Sequence, residues 1–248
     1  MKDRIDRFYE QLGSRCCSND PVGVENFLLQ CIELNDPKED AEYMVTVCGE
    51  LGSFYRGCEQ YDHSLAAFER AKTVAEKAGA AETTLYASTL NNMAGTYRLM
   101  GDYGRAIDLY LQARKIYHNT CGRSSAPYIG SLNNLSLAYR EDGQNAMALS
   151  CLEEAVELIS LTPQLQFTLG ATYSNLATLH SGGKTLEYAA LCQHIRWCCE
   201  GQGRPDQGIV PLKEAIQTYT KILGEDHERT RAAMDDLAHL RLKAAGGE

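Results

Sequence analysis

The chain has 248 residues, enough for one large domain or two small ones with ample material for a core. Its 44% hydrophobic and 23% charged residues exclude wholesale disorder. With 24 Lys and Arg against 33 Asp and Glu, the net charge of −9 argues against nucleic acid as a partner, because phosphate binding needs a net basic face.

No apolar run approaches the ~20 residues required to cross a bilayer. The stretch Met1-Lys2-Asp3-Arg4-Ile5-Asp6-Arg7 is not of signal-peptide type. A cytoplasmic protein with no membrane partner is therefore expected. The ten cysteines are scattered and form no CxxC. In a reducing compartment they read as free thiols used as small apolar residues.

In chain order, Asp3 to Arg15 and Pro21 to Leu34 read as a helical pair, the second opened by Asn19-Asp20-Pro21. The pair lacks the alanines that mark the later helices, so residues 1–42 are expected to form a divergent N-terminal helical cap. From residue 43 the chain repeats itself. Tyr55, Tyr97 and Tyr139 recur every 42 residues, each followed by Arg, and Ala71, Ala113 and Ala155 recur at the same interval. Gly101 and Gly143 stand four residues after their tyrosines. A fourth copy begins at Leu176-Ala177. Regular repeats are thus expected over residues 43–184.

Each unit reads as two helices. Leu90, Met93, Ala94 and Tyr97 make one apolar stripe, and Gly101-Asp102 ends it. Ala106, Tyr110, Ala113 and Tyr117 make a second stripe. Gly52, Ala94, Ser136 and Ala177 hold one first-helix position, and the alanines hold one on the second helix. Small side chains there let two helix axes approach closely, as an antiparallel pair requires.

Near the C-terminus the period breaks, because Ala155 and Ala215 are 60 residues apart. The segment Thr185 to Gly201 must then be second helix for one unit and first helix for the next. Arg196 falls where a small residue is expected, which predicts an irregular, loosely packed junction. Residues 185–248 are accordingly an irregular C-terminal repeat with a capping helix, whose Met234, Leu237, Ala238 and Leu240 share one face. The misfit at Arg196 and the lone Trp197 make this region a candidate homodimer contact.

A small residue, Tyr three later, Gly near the turn and then two alanines seven apart resembles the tetratricopeptide repeat (TPR). The 42-residue spacing, Leu90-Asn91-Asn92-Met93 and Leu132-Asn133-Asn134-Leu135, and the run Tyr219 to His227 resemble its longer, kinesin-light-chain-like variety. The resemblance implies an all-α fold, a right-handed superhelical solenoid of antiparallel helix pairs forming one continuous array. It also implies a concave groove, lined by first helices, that takes an extended peptide or another protein.

Helical spacing from the buried stripe puts Asn91, Asn92 and Arg98 on that inner face, then Asn133, Asn134 and Arg140. Ser174 and Asn175 continue the row, and Glu50 and Arg56 precede it. Asn is not favoured within helices, so its recurrence needs a reason. Its amide offers a donor and an acceptor, matching the N–H and C=O of an extended peptide. Arg56, Arg98 and Arg140 add cations suited to carboxylates. The alternative is that these amides join neighbouring helices and the arginines pair with acids of the chain. The inner positions carry no Lys, unlike those of family members that bind chaperone tails.

The best metal candidate lies within Cys192 to Cys199, where His194 and Cys198 are spaced i, i+4 on a helix. A tetrahedral site needs two more ligands, and no matching pair stands at a telling distance. There is no Gly-rich phosphate loop, GxSxG or HExxH, so neither catalysis, a metal nor a cofactor is expected. The expected function is a non-catalytic peptide-binding scaffold. The alternative is a thiol- or metal-responsive sensor centred on Cys192 to Cys199.

Overall fold

The computed structural model describes residues 2–18, 20–162, 165, 169–180 and 185–245. Asn19 of the predicted start signal lies outside them. Twelve α-helices and no strand occur among the described residues. They divide into two compact units, Met1–Arg123 and Ser124–Glu248.

The first unit holds α1 (Lys2–Cys17), α2 (Pro21–Glu33), α3 (Ala41–Gly57), α4 (Tyr61–Lys77), α5 (Thr84–Leu99) and α6 (Tyr103–Cys121). The second holds α7 (Ala126–Glu141), α8 (Asn145–Ser160), α9 (Leu169–His180), α10 (Leu186–Gly201), α11 (Pro205–Leu223) and α12 (Glu228–Ala244).

Four of these helices start alike. The side chains of Asp40, Thr83, Ser125 and Thr185 accept from the backbone N–H of Tyr43, Tyr86, Tyr128 and Tyr188, at 3.0, 3.2, 3.4 and 3.3 Å. Each cap satisfies a donor that the first turn leaves without an intrahelical partner. Each of the four tyrosines is buried behind its cap.

The turns within pairs need positive φ, and Gly101 and Gly143 supply it at 82° and 80°. In the first pair the equivalent residue, four after Tyr55, is Glu59 at φ 59°. A side chain in that region is strained by about 1–2 kcal/mol. Glu59→Gly is therefore expected to raise stability by about 0.5–1 kcal/mol, net of the extra freedom glycine gives the unfolded chain. The change would be read as a higher urea midpoint at unchanged slope. An unchanged or lower midpoint would show the turn to be unstrained.

In the first unit α3 is the central element. Six successive residues, Tyr43 to Cys48, are buried because α1, α2, α4 and α5 all pack around it. Its close approach to α4 is made at Gly52, over the buried ring of Phe68. Ser64 of α4 donates to the Gly52 carbonyl at 2.8 Å and lies 3.0 Å from the Thr96 hydroxyl of α5, tying three helices together. The α5–α6 pair closes on fully buried Ala94, Ala106 and Ala113, as the small-residue pattern predicts.

In the second unit the Tyr128 hydroxyl of α7 donates to Glu154 of α8 at 2.8 Å, 26 residues further on. The Tyr188 hydroxyl of α10 donates to Glu214 of α11, also 26 residues on. The pair α10–α11 thus repeats α7–α8 after 60 residues instead of 42. Between them lies α9, only 12 residues long, which carries the fourth copy's Leu176 and Ala177. It packs against α7, α8 and α10, so α10 serves two neighbours.

The junction differs from the loose packing expected at Arg196. Ala189, Cys192, Leu212, Ala215, Tyr219, Ala233 and Leu240 form a buried cluster there. The small residue has moved to the opposite helix. A Cβ placed on Gly208 of α11 would lie 3.3 Å from the Arg196 Cα and 3.2 Å from Leu240. With the close approach kept by Gly208, position 196 is free to carry a long side chain. Its guanidinium donates to Glu200 at 2.7 Å and to Asp236 of α12 at 2.8 Å. Lys243 of α12 holds the other oxygen of Glu200.

Candidate functional site

The inner-face residues can be placed within each unit. In the first unit Arg56 extends from the last turn of α3 towards α5. Its Nη1 donates to the backbone carbonyl of Asn92 at 2.8 Å. This is possible because residue 95 is Gly: a Cβ there would lie 2.9 Å from Arg56 Nη1 and 3.5 Å from the Tyr110 hydroxyl of α6. Burial lowers the pKa of the Arg56 guanidinium; Tyr110 raises it and the neighbouring Arg98 lowers it further. No carboxylate pairs with Arg56 among the described residues. A partly desolvated cation without a counter-charge, set near a second guanidinium, suits an incoming anion.

Asn91, Asn92 and Arg98 are all half-buried on α5. The Asn92 side-chain amide has no hydrogen bond to the rest of the chain among the described residues. Glu50, at the N-terminal end of the same face, accepts from the Tyr9 hydroxyl of α1 at 3.1 Å. Burial and that carboxylate push the Tyr9 phenol up to about 12.

In the second unit the amides behave differently. Asn133 is 9% exposed, and its Nδ2 donates to the Thr172 hydroxyl of α9 at 3.0 Å and to the Ile129 carbonyl at 3.4 Å. Asn175 of α9 donates to Asn133 Oδ1 at 3.4 Å. These two amides join α7 to α9. Asn134 is half-buried, and Arg140 lies 3.5 Å from its neighbour Glu141. Six residues after the capped tyrosine stand Asn92 in α5 and Asn134 in α7. The matching residue in α10 is His194, with Gln193 matching Asn91 and Asn133. Recurrence counted from residue 135 does not find His194, because α10 is off the period.

Among the described residues the Cys192 to Cys199 segment carries no set of metal ligands. Cys192 and Cys198 are buried, Cys199 is half-buried, and burial is the main cause raising the pKa of Cys198 and Cys199. The His194 ring stacks on Tyr173 at 4.9 Å. Among the described residues no group of three or more His, Cys, Asp or Glu is placed to hold a metal ion. None of the described helices is long and apolar enough to cross a membrane.

Residues 43–119 and 86–160 match the sequence model of the tetratricopeptide repeat. Residues 43–160 of this chain are tetratricopeptide repeats. No curated protein matches it in sequence. Among solved structures, BtubC (BKLC) from P. vanneervenii is similar over 100% of this chain and 85% of its own, with 18% identity and a TM-score of 0.57. NprR in complex with its cognate peptide NprX is similar over 98% and 79%, with 16% identity and a TM-score of 0.52. A putative kinesin light chain of Podosopora anserina, with nearly identical TPR-like repeats, aligns over 86% and 90% at 16% identity and a TM-score of 0.47. Within these repeats Gly95 is the inner-face position that a residue count passes over. It fills no turn, and its reason is the guanidinium lying across it.

Proposed function

We propose that this repeat protein is a non-catalytic scaffold that takes an extended peptide or a protein tail along the inner faces of its first helices. The observation that carries the reading is Arg56, a partly buried cation whose only hydrogen-bond partner among the described residues is the Asn92 carbonyl. Beside it the Asn92 amide and Arg98 offer donors of the kind a peptide carboxylate or carbonyl needs. Within the first unit Asn91 extends the polar row; in the second unit Asn134 and Arg140 are groups of the same kind, suited to a peptide carbonyl or carboxylate. Asn133 and Asn175 act through the scaffold, holding α7 and α9 in place. NprR, solved with its cognate peptide, is an instance of the fold with a peptide bound.

Gly95→Ala tests the site without dismantling the fold. The added methyl displaces the flexible end of Arg56, while alanine favours the helix by about 1 kcal/mol. Melting is expected to be unchanged or slightly raised. Affinity capture with the wild type and with the Gly95→Ala and Arg56→Ala variants should give a partner held by the first and lost by at least about tenfold from both variants. Equal capture by all three proteins would overturn the reading.

A further inference from the structure

Away from the inner-face residues, the first unit carries a cleft of about 660 Å³ between the turn leading into α3 and one face of α4. Half-buried Pro37, Ala41 and Val74 give it apolar walls, and exposed Lys38, Arg70 and Lys77 surround them. A smaller cleft of about 270 Å³ shares Ala41 and is walled by Val45, Ala75 and Leu85. The two together have the size and the mixed lining of a site for several side chains.

The charges decide what would enter. Among the described residues, none of the cationic groups of Lys38, Arg70 and Lys77 has a carboxylate or hydrogen-bond partner. The one carboxylate lining the larger cleft, Glu69, faces Lys72 at 3.6 Å. In a chain of net charge −9, three unpaired cations converge on one apolar-walled cleft. Lys77 lies in the last turn of α4, where it complements the helix dipole. That accounts for Lys77 but not for Lys38 in the turn or Arg70 in mid-helix.

We propose that this cleft docks an acidic segment of a partner protein. An apolar side chain enters between Ala41 and Val74, and carboxylates meet Lys38, Arg70 and Lys77. Arg70 presents the planar fork that holds a carboxylate by two hydrogen bonds. The surface is separate from the Arg56 and Asn92 face and needs no ligand bound there.

The test is an amide NMR titration of the full chain with the acetylated peptide Glu-Glu-Leu-Glu-Glu. The controls are Gln-Gln-Leu-Gln-Gln, Lys-Lys-Leu-Lys-Lys and inorganic phosphate. Shifts are expected at Ala41, Val74 and Ala78 with the acidic peptide alone. The affinity should fall at least about fivefold between roughly 50 and 500 mM salt. Arg70→Gln with Lys77→Gln, both exposed sites, should weaken it about tenfold at unchanged melting, whereas Arg56→Ala should leave it intact. Four results would each overturn the proposal: no shifts at these residues, equal shifts with the basic peptide, shifts with phosphate alone, or loss of the shifts in Arg56→Ala.

Discussion

Gly52→Ala is expected to destabilise the protein by about 2 kcal/mol, although the next two repeats carry Ala94 and Ser136 at the same position. A Cβ at residue 52 would lie 2.8 Å from each of three ring carbons of Phe68. Carbon atoms rest at roughly 3.5–4.0 Å, so the ring would have to retreat by about 1 Å. It has nowhere to go, being fully buried between α3 and α4. Overpacking of this kind costs about 1–3 kcal/mol or more, and the better helix propensity of alanine returns about 1. Urea denaturation of Gly52→Ala measures the loss. Adding Phe68→Leu should recover more than half of it, since the smaller side chain gives the methyl room. A Gly52→Ala protein as stable as the wild type would show that Phe68 does not set the distance between these helices.

The contrast between Gly52 and Ala94 shows where repeat arithmetic stops. Periodicity exposes what every copy shares: the tyrosines at 42-residue intervals, the buried alanines, and the positive-φ glycines at 101 and 143. It is blind to what one copy solves in its own way. Glu59 does the work of a glycine at a strained φ. Gly208 supplies across the helix pair the room that Ala94 supplies from the first helix, so Arg196 misfits only if its own helix is considered. The caps Asp40, Thr83, Ser125 and Thr185 mark equivalent helices by local chemistry, and the fourth lies off the period. Start signals therefore locate a helix where spacing fails.

The inner-face residues divide for a similar reason. Asn133 is engaged by Thr172 and Asn175 of α9, whereas the Asn92 amide has no hydrogen bond to the rest of the chain among the described residues. Which amides are used internally depends on the neighbouring helix and not on the repeat itself. Arg56 donates to a backbone carbonyl, a partner that residue types cannot reveal. The recurrence of Asn and Arg was legible; the division of labour among them required the packing.

Arg196→Ala is the second large effect, expected to cost about 2 kcal/mol. The guanidinium joins Glu200 to Asp236 and packs its stem beside Gly208. Breaking a fully buried ion pair costs about 3–5 kcal/mol, but Asp236 is 37% exposed and can be rehydrated, which roughly halves the figure. Arg196 Nε is buried without a partner among the described residues, which further limits the net value of the charge. Arg196→Met should therefore be milder than Arg196→Ala, because it keeps the stem. Equal losses would assign the effect to charge alone. The acid limb separates the two contributions. The Glu200 carboxyl is held below its ordinary value, first by the hydrogen bond from Lys243 and then by Arg196, against its burial. A folded pKa below the unfolded one gives stability that is present above the ordinary carboxylate value, about 4.5, and lost as pH falls through the folded value. Stability measured from about pH 6 down to pH 3 should thus fall more steeply in the wild type than in Glu200→Gln. Arg196→Ala should lie between them, since Lys243 still reaches Glu200. A wild-type limb no steeper than that of Glu200→Gln would mean that the Arg196–Glu200–Lys243 network does not hold α12 against α10.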